Sequence, residues 1–182
     1  ITGREYHLFS YYGDKEADRV IILMGSATEA AREAIDYLNK NGEKVGMVSV
    51  HLYRPFSVKH LLAAVPKTAK KIAVLDRTKE PGAEGEPLYL DVKSAFYDVE
   101  DRPVIVGGRY GLGSSDTTPA KIIAVFNNLK LDTPKNHFTV GIVDDVTFTS
   151  LPEVEEIPMG GNGMFEAKFY GLGADGTVGA NK

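Results

Sequence analysis

The chain has 182 residues, 43% of them hydrophobic and 25% charged, with a net charge of −4 and no cysteine. That length and balance fit one ordinary globular domain plus some extra chain, large enough to bury a core without staples. The charge leaves no footprint for nucleic acid or an anionic membrane, and the missing thiols exclude disulfides, a thiol nucleophile and a cysteine-held iron–sulfur cluster on this chain.

The first residues, Ile1 to Lys15, read as an extended lead-in lying across a neighbouring surface. The run DRVIILMG (Asp18–Gly25) is a buried strand closed by a glycine. A helix follows, with Ser26 and Glu29 in capping-box spacing at its start and Gly42 as its stop. Glu43–Pro55 is the second strand, and a short helix with Ser57 as its N-cap comes next. Lys70–Thr78 is the third strand. After the Gly/Pro-rich KEPGAEGEP loop, Leu88, Val92 and Phe96 share one helical face. Arg102–Gly108 is the fourth strand. Beyond the glycine loop RYGLGSSD, Thr118 caps a helix with Pro119 at its first position. Asn136–Asp145 is the last strand. Five strands alternating with single helices predict a three-layer α/β/α fold around an open, mostly parallel sheet.

The stretch 1–148 is thus one α/β domain, and 149–163, rich in Pro, Glu and Gly, reads as a linker. Residues 164–182 then begin a new unit, a strand running into GLGADGTVGANK. There Gly171, Gly173 and Gly176 spell GxGxxG in a strand-to-helix setting, a turn that suits a phosphate. A plain strand-to-helix turn is the alternative. The unit is cut off after about one helical turn, and the chain opens at Ile1 rather than Met. Both are read as signs of a piece of a longer chain. No apolar run reaches the ~18 residues of a membrane span and no signal peptide is visible, so no membrane partner and a cytoplasmic location are expected.

In an open parallel sheet, ligands sit beyond the carboxyl ends of the strands. Ser26, His51, Arg54, Asp76, Arg77, Lys79, Glu80, Arg109, Asp144 and Asp145 all fall at such ends. They could form one polar crevice. The balance of acids and bases, without a nucleophile–base pair, favours helix caps, loop charges and ion pairs at a domain contact. Gly108, Gly111 and Gly113 fit turn geometry better than phosphate binding, because their order is neither the dinucleotide fingerprint nor a P-loop. Asp144 and Asp145 could hold Mg²⁺, although adjacent side chains diverge, which favours a solvated or salt-bridged pair. The histidines His7, His51, His60 and His137 lack metal-ligand spacing.

Five segments, HLYRPF, LDRTKEPGAEGEPLYLDV, GRYGLGSSD, NHFTVGIVDDVTFTSLP and FYGLGADGTVGANK, occur in this order along nearly the whole chain. Together they resemble pyruvate:ferredoxin (flavodoxin) oxidoreductase. The resemblance implies a transketolase C-terminal-like domain with one antiparallel edge strand, joined to the start of the following, CoA-associated domain. It implies a parent enzyme that converts pyruvate and CoA to acetyl-CoA and CO₂ while reducing ferredoxin or flavodoxin. That parent, a homodimer, uses thiamine diphosphate, Mg²⁺ and [4Fe–4S] clusters. The resemblance assigns this chain no catalytic residue and no cofactor of its own. Its partners are the other domains of the same polypeptide, and alone it is expected to be inactive. The thiamine signature is missing, since Asn127–Asn128 stands without a GDG partner. By resemblance, Gly171, Gly173, Gly176, Thr177 and Lys182 would meet CoA. Two other readings remain: a free-standing nucleotide- or CoA-binding module, and a pure interaction domain.

Overall fold

In the computed structural model, the described residues are 3, 5–144, 146–157, 167, 170, 171 and 176. Six strands form one sheet: β1 (Phe9–Gly13), β2 (Arg19–Met24), β3 (Val45–Val50), β4 (Lys71–Asp76), β5 (Val104–Arg109) and β6 (Phe138–Thr139). Their order is β1-β3-β2-β4-β5-β6, parallel except for β1, which pairs antiparallel with β3. The helices are α1 (Ala27–Lys40), α2 (Val58–Ala64), α3 (Pro87–Ala95) and α4 (Pro119–Lys130).

Side chains alternate across each strand and feed two cores. Ile21, Leu23, Val45, Met47, Ala73 and Leu75 face α1 and α4. Val20, Ile22, Val48, Val50, Ile72 and Val74 face α2 and α3. The three-layer α/β/α arrangement is therefore the one expected. Both faces of the central strands are covered, so they read as unbroken apolar runs. The α1 stripe of Ala27, Ala31, Ala34, Ile35 and Leu38 lets that helix lie close to the sheet. Buried residues go nearly all round α4, because Leu151, Val154 and Ile157 cover it from outside.

The expected count of five strands is corrected to six: the lead-in supplies β1. Phe9 and Tyr11 pack into one core and Tyr12 onto the other. The strand can approach because Gly46 opposes it; a Cβ there would sit 2.1 Å from the Tyr11 hydroxyl. The last strand is much shorter than Asn136–Asp145. His137 (φ 53°) and Gly141 (φ 82°) turn the backbone out of the extended region on either side of β6. The capping box also fails. Ser26 is already helical (φ −64°, ψ −23°) and makes no side-chain cap bond, while Thr28 Oγ1 donates to Gly25 O at 2.8 Å. Ser57 is an N-cap by position, but its hydroxyl pairs with His60 Nδ1 at 2.7 Å. Thr118 caps α4 as expected, accepting from Lys121 N at 3.4 Å with Pro119 at the first position.

From β2 the chain steps to β3, then back across β2 to β4 and outward to β5 and β6. The sense of winding reverses between β2 and β4, which places the switch point at their carboxyl ends. The crossover through α4 lies on the same face as that through α1 but steps in the opposite direction along the sheet. It therefore has the opposite hand to the other three, a rarity for parallel units.

Candidate functional site

Asp76 ends β4 and is 7% exposed. Its Oδ1 accepts from Leu88 N and its Oδ2 from Tyr89 N, both at 3.1 Å. These are free N–H groups of the first turn of α3, whose own N-cap residue, Glu86, makes no side-chain cap bond. Asp76 is thus a cap supplied from a distant part of the chain. Burial pushes its carboxyl group up, the two N–H donors pull it down, and the nearby Glu86 adds to the rise.

Glu86 is 4% exposed and faces Arg109 at the end of β5, with Oε1 and Nε 3.6 Å apart. Arg109 also donates through Nη2 to His137 O at 2.7 Å. Glu86 Oε2 and Arg109 Nε have no hydrogen-bond partner. The His137 ring meets Tyr89 edge-on at 5.5 Å. Asn136 donates from Nδ2 to the Tyr89 hydroxyl at 3.1 Å and accepts at Oδ1 from Gly107 N at 2.7 Å. Glycine is required at 107 and 108 by packing: a Cβ would meet Tyr89 at 2.8 Å and Phe138 at 2.1 Å, respectively.

At the end of β3, Asp91 on α3 accepts from Tyr53 at 2.7 Å and pairs with Arg54 at 2.8 Å. The Arg54 guanidinium lies over the Tyr53 ring at 3.9 Å. Burial, and then the bond to Asp91, push the Tyr53 hydroxyl up to about 12. Phe56 meets Phe9 and Tyr53 edge-on, so HLYRPF ties β3 to both β1 and α3.

Ser26 and Arg77 flank a crevice of about 310 Å³ at the switch point, together with Tyr110, Ser114, Asp116 and Thr117. The Tyr110 hydroxyl closes its floor by donating to Met24 O at 3.3 Å. Ser115, which also lines it, donates to Gly141 O at 2.7 Å and accepts from Lys121 Nζ at 2.9 Å. Gly111 and Gly113 turn the backbone here with φ of 64° and 62°, consistent with turn geometry. The crevice brings hydroxyls together with the Arg77 guanidinium and the Asp116 carboxylate, and no histidine or thiol lines it.

The remaining expected residues do not join this group. His51 bonds Ser10 at 3.0 Å, and Lys79 and Glu80 lie exposed in the loop after β4. The Asp144 carboxylate accepts from Val146 N, Thr147 N, Thr147 Oγ1, Thr149 N and Thr149 Oγ1. These donors, led by the Thr147 hydroxyl, hold it well below the usual carboxylate range. Asp145 lies outside the described residues. Asn128 is structural, bonding Lys135 O and N at 2.9 Å each. Among the described residues, no group of three or more His, Asp or Glu side chains could hold a metal. No helix of the described residues is long and apolar enough to cross a membrane. Gly171 and Gly176 are exposed, the latter with φ 82°. Gly173, Thr177 and Lys182, and most of the expected strand before them, lie outside the described residues.

Sequence reasoning missed Glu86, Tyr89, Tyr110, Asn136, Thr147 and Thr149. Only Glu86, immediately before the helix-starting Pro87, stood at a position that marks a helix entrance.

The architecture and its carboxyl-end network define a three-layer α/β domain with an antiparallel edge strand. Residues 17–122 match the family model for pyruvate:ferredoxin oxidoreductase core domain II, and the chain belongs to that family. A pyruvate-flavodoxin oxidoreductase of Enterobacter agglomerans is 61% identical over all of this chain and 16% of its own length. The pyruvate:ferredoxin oxidoreductase of Moorella thermoacetica is 56% identical over the same shares. The chain therefore spans about one-sixth of the length of these relatives. A 2-oxoglutarate:ferredoxin oxidoreductase from Magnetococcus marinus, solved with 2-oxoglutarate, coenzyme A and succinyl-CoA bound, aligns with 69% of this chain and 19% of its own. Its TM-score is 0.45 at 21% identity, too distant to carry a conclusion.

Proposed function

We propose that this chain is a non-catalytic scaffold section of a larger 2-oxoacid oxidoreductase. That enzyme converts pyruvate and CoA to acetyl-CoA and CO₂ and passes the two electrons released to ferredoxin or flavodoxin. The observation that carries this reading is the identity of 56–61% across the whole chain to enzymes with those names. The geometry supports the scaffold role. Asp76 caps α3, Arg54 pairs with Asp91, and Arg109 faces Glu86 and ties down the His137 carbonyl.

Thiamine diphosphate, Mg²⁺ and [4Fe–4S] clusters belong, in this reading, to other parts of the polypeptide. With no cysteine the chain cannot ligate such clusters through thiolates, and it lacks the thiamine signature. No step of the reaction is assigned to its residues. The complete enzyme is a cytoplasmic homodimer.

The glycine turn is this chain's own contribution to ligand binding. Gly171, Gly173, Gly176, Thr177 and Lys182 cradle a phosphate of CoA, since free N–H groups and a helix dipole both favour an anion. The left-handed backbone at Gly176 supports a turn there. Calorimetry of CoA against the polypeptide encoded by the complete reading frame, and against this chain alone, tests the reading. We expect millimolar or weaker binding to the chain alone. Binding to the complete polypeptide is tighter, and Gly173→Val weakens it at least ~10-fold by removing the preorganised cradle. Tight binding to the chain alone would instead favour a free-standing CoA module. No effect of Gly173→Val would remove these glycines from the site.

A further inference from the structure

Between Thr139 and Ser150 the chain leaves the sheet edge and returns to it, with Leu151 N donating to Thr139 O at 2.8 Å. This excursion carries Val143, Val146 and Phe148, which are 84%, 81% and 73% exposed. Three large apolar side chains within six residues, all facing water, are the kind of cluster that marks a contact surface.

The loop that carries them is fixed from within. The Asp144 carboxylate gathers the donors of Val146, Thr147 and Thr149 described above. Ser150 Oγ accepts from Asp144 N at 2.7 Å and donates to Ile142 O at 2.8 Å. Lys135 Nζ donates to the carbonyls of Phe148 and Ser150 at 3.0 and 3.1 Å. Phe148 itself has φ 55°, an uncommon backbone for a bulky residue. A side chain held in such a conformation only to meet water has a cost without a return; against a partner, the same rigidity lowers the entropy lost on docking.

We propose that Val143, Val146 and Phe148 form the contact by which this domain docks against the folded unit that follows it in the same polypeptide, the unit that residues 164–182 begin. The proposal rests on the reading that the chain is a section of a longer oxidoreductase. Two observations select this occupant. This chain is 16% of the length of its relatives, which leaves ample polypeptide to supply a partner surface. From the base of the loop, residues 151–157 run over α4 with Leu151 buried and Val154 and Ile157 packed on the core. Residues 151–157 therefore leave from the same β6 edge that displays the patch. A short tether holds such a partner at an effective concentration of about millimolar, so a small patch is sufficient. A second copy lacks that tether, and three side chains fall well short of the ~800 Å² per partner of a stable free interface.

Two measurements on the polypeptide encoded by the complete reading frame test this. In hydroxyl-radical footprinting of the unaltered protein, Phe148 is expected to react about tenfold more slowly in the native state than in urea, as a side chain in a water-excluding contact does. A native rate within about twofold of the unfolded rate would leave Phe148 exposed, as it is here, and overturn the docking. A benzophenone amino acid in place of Val146, in a mixture of heavy- and light-isotope protein, is expected to cross-link within one chain to residues beyond Lys182. Links to the preceding part of the polypeptide, or between heavy and light copies, would assign the patch to a different occupant and overturn the proposal. A frame that stops at Lys182 overturns the underlying reading together with the proposal, whereas an exposed Phe148 in a longer protein overturns the docking alone.

Discussion

Asp76 illustrates how a residue at a functional position can be occupied by structure. It stands where an open α/β sheet presents ligand-binding groups, yet both carboxylate oxygens are already used by the N-terminus of α3. Asp76→Ala leaves two N–H groups without a partner and is expected to cost about 2–4 kcal/mol, from the lost cap and the stranded donors together. Asp76→Asn keeps one acceptor and should cost about 1 kcal/mol. Urea titration of the three proteins measures both differences; equal stability of Asp76→Ala and the parent would remove the capping role. The sequence placed Arg54, Asp76 and Arg109 at strand ends and favoured caps and ion pairs for them, within the domain or across its boundary. It did not show which partners, because Asp76 and Leu88 are twelve positions apart and the join is made by the fold, not by spacing. The same holds for Asp144, where adjacency to Asp145 suggested a solvated or salt-bridged pair. The determining feature was the set of hydroxyls at Thr147 and Thr149.

At the scale of elements, the alternation of apolar runs with helical patterns was enough to give the layers. Each central strand is buried on both faces, so its sequence is apolar throughout and its ends are marked by glycine, proline or charge. The same property hid β1: with both faces in contact, FSYYG shows no clean polar–apolar alternation. At the other edge the apolar run was misleading, since the left-handed backbones at His137 and Gly141 leave only Phe138 and Thr139 to pair. Close packing at that edge gives a test. A Cβ at Gly108 would lie 2.1 Å from the Phe138 ring, so Gly108→Ala should destabilise by about 1–3 kcal/mol. In a Phe138→Leu background the added cost should shrink, and a double-mutant cycle in urea reads the coupling. Strict additivity would separate Gly108 from the ring.

The whole molecule is a domain whose polar carboxyl edge is largely consumed by its own helices and loops, while an apolar loop at one sheet edge remains exposed. Both features fit a part that supports an enzyme without performing its chemistry. The direct measurement is a pyruvate- and CoA-dependent reduction of a viologen dye, with thiamine diphosphate and Mg²⁺ supplied. It compares this chain alone with the polypeptide encoded by the complete reading frame. The account predicts dye reduction by the complete polypeptide and none above blank by the chain, which has no thiolates for clusters. Reproducible reduction by the chain alone, or none by the complete polypeptide, would contradict it.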